Sequence, residues 1–168
     1  PHPLYFNDDF TALLAREKKL ARYMHLPAQS GSDRILKLMR RGYTRYQYLA
    51  MLGRLRAAAP DLAVSTDFIV GYPGETGDDF QNTLSLVEEG RFSMAYCFKY
   101  SPRTAQPEMA ATTSETEIEA RLEKLLAAVK MNSRVILNER IGKIEEVLFE
   151  TETYGRASGN FAVRVKSG

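Results

Sequence analysis

The sequence predicts an α/β fold in which helices cover a short parallel sheet. Strand-forming segments alternate with segments of helical period over residues 1–140, a pattern typical of right-handed β-α-β units. The clearest unit is residues 65–76: Phe68, Ile69 and Val70 predict a strand, a Gly-x-Pro-Gly turn follows, and Thr76 begins a helix. Because α/β folds place their active and ligand-binding sites beyond the carboxyl ends of such strands, we expect the functional site of this chain there.

The composition is that of one ordinary domain, or of one domain with part of another. The chain has 168 residues, 44% of them hydrophobic, and a net charge of +2 that is too small to indicate a nucleic-acid partner. No apolar run approaches the roughly 18 residues of a membrane span, and no signal peptide is recognisable. The single cysteine, Cys97, favours a reducing cytoplasm. Because the chain begins without methionine and stops within strand-like sequence, we expect a fragment of a longer protein.

Polar capping residues predict where five helices begin. The expected caps are Asn7, Ser30 or Ser32, Thr44, Thr76 and Ser114. Three of these caps have a capping-box partner three residues further on: Gln47 for Thr44, Asp79 for Thr76 and Glu117 for Ser114. The second helix is expected over residues 33–41, ending at Gly42, and the third is expected to stop at Pro60.

Three strands are predicted between these helices, over residues 22–29, around Asp67, and over residues 94–100. In the third strand a bulky set alternates with a small and polar set that contains Ala95, Cys97, Lys99 and Ser101. We expect the bulky set to pack against helices and the small set to face the interior of a barrel-like sheet. After Gly142, residues 143–150 and 161–166 predict an antiparallel hairpin with a polar turn between them.

Polar residues at the ends of the strands are the candidates for a binding site. Two-residue alternation places Asp67, Ile69 and Gly71 on one face, where the glycine leaves bare backbone beside the carboxylate. This arrangement suggests a small polar ligand, while an aspartate satisfied by neighbouring amides explains Asp67 equally well. Gln29 can bind a ligand hydroxyl or anchor a loop. His25 is expected to be a core imidazole with satisfied hydrogen bonds.

Basic residues form a second group of candidates. Lys99 could bind an anion or, with a lowered pKa, form a Schiff base, and a charge reaching solvent explains it as well. Arg40 and Arg41 complement a helix dipole, and one of them could meet a ligand carboxylate. Two histidines and one cysteine are too few for a metal site built from protein ligands alone. Further cations on adjacent helices admit RNA binding: Arg34, Lys37, Arg45, Arg54 and Arg56.

Four segments together resemble the radical SAM methylthiotransferases, and most closely the branch that modifies tRNA. They are His-Leu-Pro-Ala-Gln-Ser-Gly-Ser-Asp at 25–33, Met-Arg-Arg-Gly-Tyr-Thr at 39–44, Asp-Phe-Ile-Val-Gly-Tyr-Pro-Gly-Glu-Thr at 67–76, and Tyr-Ser-Pro-Arg at 100–103. The resemblance implies a partial, TIM-like (β/α) barrel over residues 1–140, the C-terminal half of a radical SAM domain. It also implies that residues 142–168 begin a TRAM-like β domain, an RNA-binding module of this family.

The resemblance implies S-adenosylmethionine as a cofactor bound across the strand ends. By position, Gln29 and Asp67 correspond to groups that contact its ribose, and Arg41 to the group that binds its carboxylate. Further cofactor positions, which include the backbone at the adenine edge, are Ile69, Val70, Gly71 and Ser101. Candidate substrate-binding positions are Lys99 and Arg103.

Family enzymes use two iron–sulfur clusters to add a methylthio group to an adenosine near the anticodon of tRNA. The cysteines that hold these clusters are not in this sequence, so the resemblance implies that the chain alone is inactive. Residues 103–106, Arg-Thr-Ala-Gln, depart from the family's Arg-Pro-Gly-Thr. The alternatives are a Schiff-base, aldolase-like barrel that uses Lys99 and a stand-alone RNA-binding module, and neither accounts for all four segments.

Overall fold

The computed structural model describes residues 3–102 and 113–166. The helices in these ranges are α1 Asp8–Arg16, α2 Asp33–Leu38, α3 Arg45–Ala58, α4 Gly77–Gly90 and α5 Glu115–Asn138. The strands are β1 Tyr23–His25, β2 Ala63–Val70, β3 Met94–Lys99, β4 Val147–Phe149, β5 Tyr154–Ala157 and β6 Phe161–Arg164. Of the helices in this part of the chain, none is both long and apolar enough to cross a membrane.

The first three strands form the predicted parallel sheet, and their order in it is β1-β2-β3. The central strand β2 pairs Asp67 with Tyr96 and Ile69 with Phe98. Beyond β1, an isolated bridge pairs Gln29 with Phe68 and so carries the chain alongside β2 towards its carboxyl end. The three carboxyl ends therefore meet at one edge of the sheet.

The predicted caps begin all five helices. Each side chain accepts a hydrogen bond from the backbone N–H three residues further on, and the residues are Asn7, Ser32, Thr44, Thr76 and Ser114. Complete capping boxes form at Thr44 with Gln47 and at Thr76 with Asp79. These local signals set the directions in which the helices leave the sheet.

The end of α2 differs from the prediction. The helix ends at Leu38 rather than at residue 41, because Arg40 takes a left-handed conformation with φ of 55°. The N–H of Arg41 then donates to the carbonyl of Leu36 at 2.9 Å. This hydrogen bond ends the helix, a role that the sequence had assigned to Gly42. Arg41 is thus carried out of the helix and towards the strand ends.

The helices cover one face of the parallel sheet and leave the other open. Phe68 and Val70 of β2 are fully buried in the core on the covered face, together with Leu26, Leu52 and Leu125. Because each buried aliphatic or aromatic side chain contributes about 1.5–3 kcal/mol relative to exposure, this face supplies the stability of the sheet.

The predicted orientation of β3 is wrong. Tyr96 and Phe98, from the bulky set, lie on the open face and are 48% and 51% exposed. Ala95 and Cys97 pack instead against the core beneath α5. Small side chains on this face let the long helix approach the strand closely, and side-chain volume alone did not reveal that requirement.

The C-terminal residues form a second sheet, antiparallel in the order β4-β5-β6. The predicted polar turn over residues 151–160 contains β5, so the two predicted strands each pair with β5 and not with each other. Gly155 falls within that predicted turn, but it lies in β5 and allows the close approach of β4. A Cβ there would lie 2.5 Å from the carbonyl oxygen of Leu148.

Candidate functional site

A hollow of about 590 Å³ lies at the edge where the parallel strands end. Its walls are Gln29, Met39, Arg41, Asp67, Ile69, Tyr72, Phe98, Lys99, Tyr100 and Ser101. Six of the nine predicted site positions are among these residues. The structure therefore brings these residues together around one hollow, and the identity of their ligand stays a prediction.

Strand β2 supplies the polar centre of the hollow. Asp67 and Ile69 point to the open face, and the alternate residues Phe68 and Val70 point into the core. The side chain of Asp67 keeps 22% of its surface exposed. Val70, a predicted cofactor position, therefore offers the hollow no side chain, and its carbonyl accepts a hydrogen bond from Tyr100 N–H at 2.9 Å.

Gln29 is held in the hollow by its backbone. Its N–H donates to the carbonyl of Asp67 at 2.8 Å, and its carbonyl accepts from the N–H of Ile69 at 2.9 Å. Gln29 takes a left-handed φ of 70°, which costs a residue with a side chain about 1–2 kcal/mol. Its side-chain amide makes no hydrogen bond to any residue that the structure describes, so the amide is available to a ligand.

Arg41 is oriented by Tyr43. The Nε–H of Arg41 donates to the Tyr43 hydroxyl at 3.2 Å, and that hydroxyl lies 3.0 Å from the carbonyl oxygen of Ala28, to which it donates. Burial raises the pKa of Tyr43 against the opposing influence of Arg41, which keeps the hydroxyl protonated as a donor. Arg41 borders the hollow, and its two terminal nitrogens contact no acceptor in the described ranges.

The turn after β2 is fixed from the side of α5. Gly71 has a φ of 74°, and a Cβ there would lie 2.8 Å from Ile118. Its N–H donates to Glu75 Oε2 at 2.9 Å, and the same oxygen accepts from Arg121 at 2.9 Å. Burial raises the pKa of Glu75, although both hydrogen bonds oppose this effect. Gly71 itself does not border the hollow, so its role is to shape the turn.

His25 is the residue whose importance sequence reasoning missed. It is not a core imidazole: its side chain is 35% exposed, and Nε2 lies 3.2 Å from Oδ2 of Asp67. The signal was present in the strand register, because His25 pairs with Ser65, which stands two residues before Asp67 on the same face of β2.

Of the interpretations of Lys99 that the sequence left open, the structure does not support a reactive amine. The residue borders the hollow, but its ammonium pairs with Glu115 on α5 at 2.5 Å and lies 3.6 Å from Glu119. The hydrogen bond that Lys99 donates to Glu115 raises the pKa of Lys99, which is opposite to the shift that a Schiff-base lysine needs. The aldolase-like alternative therefore loses its nucleophile. Arg103, the other predicted substrate residue, lies outside the described residues.

The basic helices are also less available than the sequence suggests. Arg34 pairs with Asp79, Arg45 pairs with Glu89 at 2.6 Å, and Arg56 donates to the carbonyl of Gly90 at 2.7 Å. These cations hold helices together, which removes most of the support for a stand-alone RNA-binding surface on α2 and α3.

No cluster of three or more metal-ligating side chains occurs in residues 3–102 and 113–166. Burial, with a contribution from the Asp67 charge, raises the pKa of Cys97 to about 11. A thiol in that environment stays protonated and packs as a small apolar group.

The fold and the hollow define an α/β protein that presents a polar, ligand-sized site at the carboxyl ends of parallel strands. Residues 3–87 match the Radical SAM superfamily, and the chain belongs to that superfamily.

Curated relatives agree with this assignment. The chain is similar to proteins named tRNA-2-methylthio-N(6)-dimethylallyladenosine synthase. The protein of Methylacidiphilum infernorum is 42% identical over 161 residues, which cover 94% of this chain and 34% of that protein. The protein of Erythrobacter litoralis is 45% identical over 154 residues, which cover 89% and 34%. The protein of Yersinia enterocolitica is 39% identical over 171 residues, which cover 96% and 36%. The chain thus spans about a third of the length of these relatives.

Proposed function

We propose that this chain forms the S-adenosylmethionine-binding part of a radical SAM tRNA methylthiotransferase. The observation that carries the proposal is the convergence of Gln29, Arg41 and Asp67, from three separate segments, on one hollow at the strand ends. Superfamily membership supports the cofactor, and the names of the relatives support the reaction.

The chemistry of the hollow fits the parts of this cofactor. The Asp67 carboxylate accepts hydrogen bonds, and the Gln29 amide both donates and accepts, as the two hydroxyls of a ribose require. The terminal N–H groups of Arg41 match an amino-acid carboxylate. Ile69 and Phe98 give the hollow an apolar wall against which an adenine ring can pack.

When bound, S-adenosylmethionine supplies the radical that starts the reactions of this superfamily. The residues of this chain bind it and orient it. Because one cysteine cannot supply the thiolates of an iron–sulfur cluster, we propose that cysteines outside these 168 residues hold the family's two clusters.

The proposed substrate is an adenosine of tRNA that carries a dimethylallyl group on N6. The second sheet is the proposed TRAM-like contact to RNA. It contains four basic and four acidic residues between 142 and 168, so its net charge gives no attraction by itself. It does place Arg156 and Arg164 within 5.8 and 5.7 Å of the Tyr154 ring, a grouping suited to base stacking beside phosphate contacts.

Calorimetry with S-adenosylmethionine tests the site. We expect the wild-type chain to bind the cofactor and Arg41→Met to bind it at least about tenfold more weakly, because a charged, bidentate contact is lost. Arg40→Met is the matched control, since Arg40 is exposed, adjacent and not part of the hollow. Equal losses in both variants, or no binding by the wild type, contradict the proposal.

Mass spectrometry of tRNA tests the reaction. The gene that encodes this chain, at its natural length, is expressed in a bacterium that lacks its own methylthiotransferase. We expect the N6-dimethylallyl adenosine of the tRNA to gain a 2-methylthio group. Unmodified tRNA, in the presence of folded protein with bound cofactor, contradicts the proposed substrate while leaving the cofactor site intact.

A further inference from the structure

Four polar side chains form a continuous line of hydrogen bonds on the open face of the sheet. The Tyr23 hydroxyl lies 2.7 Å from Ser65 Oγ, and Ser65 Oγ lies 2.8 Å from His25 Nδ1. His25 Nε2 lies 3.2 Å from Asp67 Oδ2. The line runs from the start of β1 to the carboxylate in the hollow.

The donors and acceptors in this line admit one consistent arrangement around a neutral imidazole. The Asp67 carboxylate can only accept, so the proton lies on Nε2 of His25. Nδ1 then accepts from the Ser65 hydroxyl, and the Ser65 oxygen accepts from Tyr23. Each ring nitrogen and each hydroxyl in the line then has a hydrogen-bond partner.

The Tyr23 and Ser65 hydroxyls therefore fix which nitrogen of His25 carries the proton.

We propose that His25 is a positioning residue that fixes the Asp67 carboxylate for the hydroxyls of its ligand, and that Tyr23 and Ser65 hold His25 in the Nε2–H tautomer. The identity of the ligand rests on the proposed function, whereas the tautomer does not. Oδ2 of Asp67 is occupied by His25, and Oδ1 contacts no donor in the described part of the chain, so Oδ1 is the atom left for a ligand.

The surroundings of the line favour a role in binding over a role in packing. The side chains of His25 and Asp67 keep 35% and 22% of their surface exposed, so neither is part of the core. Asp67 is the only carboxylate among the described residues that border the hollow. The Tyr96 ring packs edge-on against the imidazole at 6.1 Å between centroids, which limits the rotation of His25 away from Asp67.

Nitrogen NMR of the labelled imidazoles tests the tautomer without any ligand. The chain has two histidines, so a His2→Gln variant assigns the His25 signals. We expect the neutral imidazole of wild-type His25 to show a protonated Nε2 and an unprotonated Nδ1. Ser65→Ala should move the Nδ1 signal, because the hydroxyl that donates to it is lost. A proton on Nδ1 in the wild type overturns the proposal.

A pair of substitutions tests the positioning of Asp67. The amide nitrogen of His25→Gln can replace Nε2 as the donor, whereas that of His25→Asn takes the place of Nδ1 and cannot reach Asp67. We expect His25→Gln to bind S-adenosylmethionine within about twofold of wild type and His25→Asn to bind about tenfold more weakly. Equal affinities in the two variants, measured on samples with matched thermal unfolding, overturn the proposal. If the wild type binds no S-adenosylmethionine, the proposed function fails, and the NMR result still decides the role of His25.

Discussion

The two faces of β2 are built from alternate residues of one strand and have opposite properties. On the covered face, Phe68 and Val70 are fully buried among the helices. On the open face, Asp67 and Ile69 border a hollow and remain partly accessible. The core and the proposed binding site are thus one residue apart along the chain, so substitutions at neighbouring positions are expected to change different properties.

The largest expected effect is on the covered face. Phe68→Ala should lower the free energy of unfolding by about 3–5 kcal/mol, because it removes a fully buried ring and leaves a cavity. Phe98→Ala on the open face is the control, and its 51% exposed ring should cost less than about 1.5 kcal/mol. Urea denaturation measures both. Similar losses in the two variants would show that the faces are not separated.

The next effect concerns the pH dependence of stability, which we expect to come from the buried carboxylate of Asp79 at the start of α4. Burial alone raises the pKa of Asp79, but hydrogen bonds from Arg34, Ser32 and Thr76 outweigh it and hold this pKa well below its usual range. Since the folded-state pKa is the lower one, the carboxylate stabilises the fold above about pH 4, and this contribution is lost as the pH falls further. Asp79→Asn should lower the free energy of unfolding by about 2 kcal/mol at pH 7, which is the strength of a hydrogen bond to a charged group. The loss should become progressively smaller below about pH 4.

The control for this prediction is Asp78→Asn, which changes the exposed neighbour in the same helical turn. Unfolding free energies are measured between about pH 7 and pH 2. A cost of Asp79→Asn that stays constant over this range, or an equal cost of the control, would contradict the assignment of the low pKa to the Arg34 network.

The smallest effect tests whether Gln29, on the open face, lowers the stability of the fold while it contributes to the proposed binding site. Gln29→Gly should raise the free energy of unfolding by about 1 kcal/mol, because glycine takes the left-handed conformation without strain. The same change should weaken binding of S-adenosylmethionine, since the amide is lost. Arg40→Gly relieves a similar conformation, with φ of 55°, outside the hollow, so it should stabilise without loss of affinity. Unchanged affinity of Gln29→Gly would remove Gln29 from the site.

Those features of the fold that depend on local sequence were predictable. The caps at Thr44 and Thr76 and the alternation along β2 follow from neighbouring residues alone, and the structure confirms them. The orientation of β3 was not predictable in this way, because it depends on how closely α5 crosses Cys97. Strand β5 was missed because Gly155 resembles a turn residue until its partner strand is known.

The candidate site shows the same division. Asp67 and Gln29 could be predicted as binding candidates because polar residues at strand ends are visible in one segment at a time. The pairing of His25 with Asp67 requires the register between two strands that lie about 40 residues apart along the chain. The pairing of Lys99 with α5 likewise joins distant segments, and for that reason the sequence left the role of Lys99 open.

The most direct test of the account is a crystal structure of the chain with S-adenosylhomocysteine, the demethylated form of the cofactor. We predict that the nucleoside lies in the hollow, with its ribose hydroxyls on Asp67 and its amino-acid carboxylate on Arg41. A ligand bound elsewhere on the molecule, or a hollow that stays empty at saturating ligand, would contradict the claim that the open face of the sheet is a cofactor site.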